Sequence, residues 1–152
     1  MPNQHGAWAM LATPIAVGVL ASHPASVHLP LTAFWFLGYF AFFAAGLWLK
    51  APPRRRPGLL PPLRTYAVAS AALGALTLAL DPGLLRWAPL FLPPLAIGLV
   101  ASARRDERSL WSGLATSIGS SLMVLVAYDA GGGTDWERAW LLTGILAAYF
   151  AG

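Results

Sequence analysis

Arg104-Arg105-Asp106-Glu107-Arg108 sets five consecutive ionisable side chains between two apolar runs, Leu84 to Ser102 before it and Ser109 to Tyr128 after it. Each run has about the 20 residues that a helix needs to cross a hydrocarbon core of about 30 Å. Read as a solvated turn between two such helices, the segment defines the fold class: all-α, a polytopic transmembrane helix bundle. Composition supports that reading. Of 152 residues, 57% are hydrophobic and only 11% are charged, and the mean hydropathy is +0.61. A soluble domain averages about 45 to 50% apolar and about 25% charged residues, so this chain has too little polar surface to cover a water-facing globule.

Working outward from the charged turn, hydropathy divides the chain into about six helices of one integral membrane domain spanning 1–152: residues 6–22, 31–49, 65–80, 84–102, 109–128 and 139–152. The last run is too short to cross comfortably, and it is expected to be a helix truncated within an incomplete chain. The first run has no Lys or Arg before it, so the basic region of a signal peptide is missing. Its small residues, Ala9, Ala12 and Ala16, line up with His5 and are expected to pack inward; Trp8, Leu11, Ile15 and Val19 are expected to meet lipid. The Ala- and Gly-rich third run is expected inside the bundle. Pro93-Pro94 sits mid-run in the fourth, where a break would leave carbonyls for protein or water to satisfy, and a plain kink is the simpler expectation. Gly131-Gly132-Gly133 lacks the Lys-Ser/Thr and the strand-helix setting of a phosphate cradle, and reads as a flexible outer loop.

Charge placement orients the bundle. With the N-terminus cytoplasmic, the inner segments hold Lys50, Arg54, Arg55, Arg56, Arg64, Arg104, Arg105 and Arg108, and the outer loops hold only Arg86 and Arg138. That is the positive-inside pattern, which explains the net charge of +4 better than nucleic-acid binding does. Trp and Tyr flanking the apolar runs fit the aromatic belts of a membrane protein. Cysteine is absent, which removes disulfides, thiolate metal sites and cysteine nucleophiles. No metal site is expected, and no cofactor or protein partner can be named from the residues.

Two segments resemble a known family. Pro2-Asn3-Gln4-His5-Gly6-Ala7-Trp8-Ala9-Met10 looks like the opening signature of the YwiC-like family of bacterial integral membrane proteins, and Arg105-Asp106-Glu107-Arg108-Ser109-Leu110 is similar to a short charged segment of that family. The resemblance implies a multi-pass membrane protein, and a longer chain, but supplies no mechanism.

The residues themselves suggest where chemistry would lie. If the fifth helix begins at Arg105, then Arg105, Ser109, Ser112, Thr116 and Ser120 share one face, with Asp106, Gly113 and Ser117 beside them. Trp111, Leu114, Ile118, Leu122 and Leu125 fall opposite. The small polar face suits either helix packing or a polar track into the bundle; packing is favoured, because no Asp, Glu, Lys or Arg lies mid-membrane. The same topology brings Asn3, Gln4 and His5 to the cytoplasmic face together with Arg105, Asp106 and Arg108. These six are the candidate ligand-binding residues: arginine offers a planar fork of donors to phosphate or carboxylate, and His5 or Asp106 could move a proton. Lys50, Arg54, Arg55 and Arg56, interleaved with prolines, are candidates for contact with anionic headgroups of the bilayer. The resulting reading is binding of, or chemistry on, an anionic lipid or isoprenoid phosphate; repeated aspartate-rich motifs that would hold magnesium for such chemistry are absent. A small-solute transporter, or a noncatalytic membrane subunit or assembly factor, are the alternatives.

Overall fold

A computed structural model describes residues 5–106 and 108–152, with His5 placed by its backbone alone. Every regular element among them is helical: α1 (His5–Ala21), α2 (His28–Lys50), α3 (Arg56–Leu80), a 3-10 turn (Pro82–Trp87), α4 (Ala88–Ala103), α5 (Leu110–Ser121), α6 (Met123–Ala130) and α7 (Trp136–Ala151). Four stretches are long and apolar enough to cross a membrane: His28–Lys50, Arg56–Leu80, Pro82–Ala103 and Leu110–Ala130. α1 is a shorter apolar helix.

The core of the bundle is α5 followed by α6. Met123, Val124, Leu125 and Ala127 are at most 1% exposed, whereas the helices around them leave large apolar side chains outside: Leu20 on α1, Val68 on α3, Leu92 on α4 and Tyr149 on α7. That is the pattern of a membrane protein, since outward apolar surface costs nothing in lipid. The stretch Leu110–Ala130 is a single crossing interrupted at Leu122, where the ladder tightens to a three-residue step from Leu125 N–H to the Leu122 carbonyl. Just before the interruption, hydroxyls of Thr116, Ser117 and Ser121 bond back to carbonyls four residues earlier, a habit that bends helices.

α1 lies parallel to this core. Gly18 abuts Ala127 and the Val124 carbonyl, and the Ser120 hydroxyl donates to the Met10 carbonyl further back. Contact runs along Leu11, Pro14, Ile15 and Gly18, all buried, while Ala9, Ala12 and Ala16 are exposed. The expected orientation of α1 is therefore reversed at Leu11 and Ile15, whereas Trp8 is exposed as expected. Gly18 decides it, because one glycine on the large-residue face lets two backbones approach more closely than the alanine stripe would.

α3 is also placed differently from expectation, at the periphery, where it pairs with α2. Its buried residues are Ser70 and Thr77; the Ser70 hydroxyl reaches the Phe34 carbonyl at 3.2 Å, and Gly74 lies against the Phe34 ring. The small residues serve this one seam with the aromatic α2 and leave the rest of α3 facing outward. α3 also begins at Arg56, nine residues before the expected start at Thr65, so the basic, proline-rich connector shrinks to Ala51–Arg55. Pro57 falls in the first turn, where a missing N–H is harmless. α4 passes through Pro93 and Pro94 without interruption, and no mid-membrane break is present. Gly131 to Gly133 form a tight cap: Gly132 N–H donates to Asp129 and Gly133 N–H to Tyr128, with Gly132 at φ +71°. This is the Schellman arrangement for which glycine is selected, and it replaces the expected flexible loop.

Candidate anion-binding end of the bundle

The turns α2–α3 and α4–α5 meet at one end of the molecule. Arg105 joins them, its Nη2 donating to the Lys50 carbonyl at 3.0 Å and so capping the last turn of α2. Because α1 runs parallel to α5, His5 opens its helix toward this same end. Lys50, Arg54, Arg55, Arg56, Arg104, Arg105 and Arg108 all sit here, and the opposite end holds Arg86 and Arg138 with Asp81, Asp129, Asp135 and Glu137.

Arg105 and Asp106 do not open the fifth helix; they close the fourth. Arg105 N–H bonds to the Ser102 carbonyl and Asp106 N–H to that of Ala101, with Arg105 at φ +59°. The pair forms a second Schellman cap, this one with arginine where glycine is usual. α5 starts at Leu110 because Ser109 is extended and its hydroxyl accepts the Ser112 N–H at 3.3 Å, the ordinary task of an N-cap serine. Ser109 at the end of the charged run is the signal that could have set this boundary from sequence. A test follows from the strain. Arg105→Ala loses the bond to Lys50 and keeps the left-handed backbone, whereas Arg105→Gly loses the bond and relieves the backbone. Arg105→Ala is expected to be about 1 kcal/mol less stable than Arg105→Gly when unfolded from detergent micelles; equal stabilities would contradict the cap.

Of the residues expected to bind a ligand, Arg105 and Asp106 lie in one turn, with exposed Arg108 close behind. Asn3 and Gln4 lie outside the described residues, as do the His5 side chain and Glu107. Of the four expected lipid contacts, Lys50, Arg54 and Arg55 line an open groove of about 560 Å³ together with Leu47, Ala51, Pro52, Gly58 and Leu59. Arg56 is engaged elsewhere, its guanidinium 5.0 Å from the Trp48 ring centre and its Nε donating to the Ala51 carbonyl. Among the described residues, no carboxylate lines the groove. Among the described residues no group of three His, Asp or Glu is placed to hold a metal.

The polar face of α5 is a packing face. Ser112, Ser117, Ser120 and Ser121 are buried, and the Ser117, Ser120 and Ser121 hydroxyls bond to backbone carbonyls. Trp111, Leu114 and Ile118 face outward as expected, but Leu122 and Leu125 are buried, because the interruption at Leu122 opens a segment packed on every side.

Two clusters at the opposite end escaped the sequence. Asp129 takes Arg86 on both carboxylate oxygens, at 2.6 and 3.1 Å, and also accepts the Trp87 indole N–H at 2.8 Å. Arg86 lies 5.3 and 5.4 Å from the Trp87 and Trp136 rings. Nearby, buried His28 accepts the Ala25 N–H on Nδ1 and reaches the Ala127 carbonyl with Nε2 at 2.8 Å, which fixes the Nε2–H tautomer. An aspartate ending an apolar run, and a histidine opening one, were the available signals.

Fold and charge partition together define the class: a multi-pass α-helical membrane protein with one strongly basic end. Residues 1–128 match the pattern of the YwiC-like proteins, and the chain belongs to that family. It is 42% identical over 50 residues to the "Uncharacterized protein YwiC" of Bacillus subtilis (strain 168), a match covering 33% of this chain and 21% of that relative. No solved structure matches it.

Proposed function

We propose that the basic end faces the cytoplasm of a bacterial plasma membrane and binds the phosphate of an anionic lipid or isoprenoid phosphate. The carrying observation is the groove at the α2–α3 turn: cations from Arg54, Arg55 and Lys50 around an apolar floor of Leu47 and Leu59, with no carboxylate among the described lining residues. That lining suits an amphiphile whose headgroup is negative and whose tail continues into the bilayer. His5 and Asp106 are the groups available for proton transfer at the same end, should binding lead to chemistry. The hydroxyls of α5 weigh against a solute pathway, because the backbone already takes those of Thr116, Ser117, Ser120 and Ser121.

The test is lipid binding by the detergent-solubilised protein, followed by native mass spectrometry with phosphatidylglycerol and with a polyprenyl phosphate. Each basic side chain near an anionic surface contributes about 1 kcal/mol, so the double variant Arg54→Gln/Arg55→Gln is expected to weaken binding about 30-fold. Arg138→Gln at the other end should leave it unchanged. Equal binding by wild type and double variant would remove the α2–α3 groove as the site.

A further inference from the structure

A second open groove, of about 340 Å³, lies between α4 and α5 and is lined by Ala96, Ile97, Val100, Ala101, Arg104, Asp106, Ser109 and Trp111. Its chemistry differs from the first, because a guanidinium and a carboxylate face the same space. Three consecutive charged residues make the turn beside it. The middle one, Arg105, directs its guanidinium away to the Lys50 carbonyl, and its left-handed backbone leaves Arg104 and Asp106 on the groove. Their backbones are fixed: Arg104 N–H bonds to the Val100 carbonyl, Asp106 N–H to that of Ala101, and the Asp106 carbonyl accepts the Ser109 N–H. Among the described residues, neither the Arg104 guanidinium nor the Asp106 carboxylate has an ion-pair partner. Two opposite charges are thus held beside one groove without neutralising each other, and backbone strain of the kind found at Arg105 clusters at ligand clamps.

We propose that this groove binds a phospholipid whose headgroup joins a phosphate to a primary ammonium. Arg104 takes the phosphate, as arginine's fork of donors suits. Asp106 accepts hydrogen bonds from the ammonium. Ile97 and Val100, both outward-facing, continue the groove as an apolar wall for an acyl chain, and Trp111, 74% exposed, adds an indole of the kind that meets lipid headgroups. A methylated ammonium has no N–H to give Asp106, and a headgroup without nitrogen leaves that carboxylate opposing the phosphate. The site therefore selects phosphatidylethanolamine over both phosphatidylcholine and phosphatidylglycerol. This inference does not rest on the α2–α3 groove.

The experiment reconstitutes the protein into nanodiscs of mixed phosphatidylethanolamine, phosphatidylcholine and phosphatidylglycerol, releases it into detergent, and counts retained lipids by native mass spectrometry. Wild type is expected to retain phosphatidylethanolamine at about fivefold excess over phosphatidylcholine, relative to their shares of the mixture. Asp106→Asn should abolish that excess, and Arg104→Gln should reduce retention of this lipid. Both side chains are exposed and neither supports the cap, which is built from backbone, so the variants should fold. Arg138→Gln at the opposite end should leave the excess intact, and reading the excess against phosphatidylcholine, which the anionic groove is not proposed to hold, separates failure here from failure of that groove. Equal retention of phosphatidylethanolamine and phosphatidylcholine overturns the proposal, as does an unchanged excess in Asp106→Asn.

Discussion

Gly18→Val will leave the chain without a stably docked first helix. A Cβ at this position would stand 2.6 Å from the Ala127 Cβ and 2.6 Å from the Val124 carbonyl oxygen, and 3.1 Å from the Tyr128 nitrogen. Two of these three are backbone atoms in the most buried segment of the protein, so no flexible side chain can move aside. α1 must shift as a whole, losing the contacts of Leu11 and Ile15 and the Ser120 bond to Met10. The expected cost is about 3 kcal/mol or more, at the upper end of overpacking effects. Gly18→Ala should also destabilise, although alanine in a helix is intrinsically better than glycine by about 1 kcal/mol. Gly144→Ala on α7, where a Cβ meets nothing within 4 Å, should be neutral or stabilising. Measured by unfolding from mild detergent into SDS, a Gly18→Ala protein as stable as Gly144→Ala would refute the close α1–α6 contact.

The second large effect is expected at the opposite end. Asp129→Ala removes the acceptor for three donors from two residues, Arg86 and Trp87, and with it the tie between the 3-10 turn and α6. Hydrogen bonds to a charged group are worth about 1.5 to 3 kcal/mol, and a loss of about 2 to 3 kcal/mol is expected. Arg86 is half exposed and can recover some hydration, which keeps the estimate below that for a fully buried pair. Asp129→Asn retains one oxygen for the indole and should lose less. Specificity is checked by a double-mutant cycle with Arg86→Ala: a coupling of about 1 kcal/mol or more supports the tie, and additive effects would show that Arg86 and Asp129 act independently.

Hydropathy and charge were enough to read an all-helical membrane bundle, the basic residues that gather at one end and the outward face of the early part of α5, because each depends on composition along one helix. Which face of α1 packs depends on Gly18 finding Ala127 more than a hundred residues away, and nothing local to α1 carries that information. The peripheral place of α3 is similar: its small residues are real packing residues, but they serve a single neighbour. Arg105 misled for a different reason. Arginine at a left-handed cap defies the glycine preference that boundary rules rely on, so the alternative of a fifth helix already begun at Arg105 stayed open where a helix end lies. The Arg86–Asp129 pair was invisible because its partners are 43 residues apart and each looks like an ordinary loop charge.

The position of α5 and α6 at the centre also bears on how the chain is made. A ribosome delivers α1 to the bilayer long before it delivers Ser120, Val124 and Ala127, the residues that α1 rests on. Until then α1 must wait with Leu11 and Ile15 against acyl chains, a surface that lipid tolerates and water would not. α2 and α3 can pair with each other at once, and α2 offers α1 its Trp35 indole at the Leu11 carbonyl and two rings beside Trp8, but α1 meets its main partner only after α2, α3 and α4. Its large apolar face thus serves two successive surroundings, first lipid and then protein, and an alteration that made it polar would be exposed to quality control during that interval, before the finished bundle could shelter it.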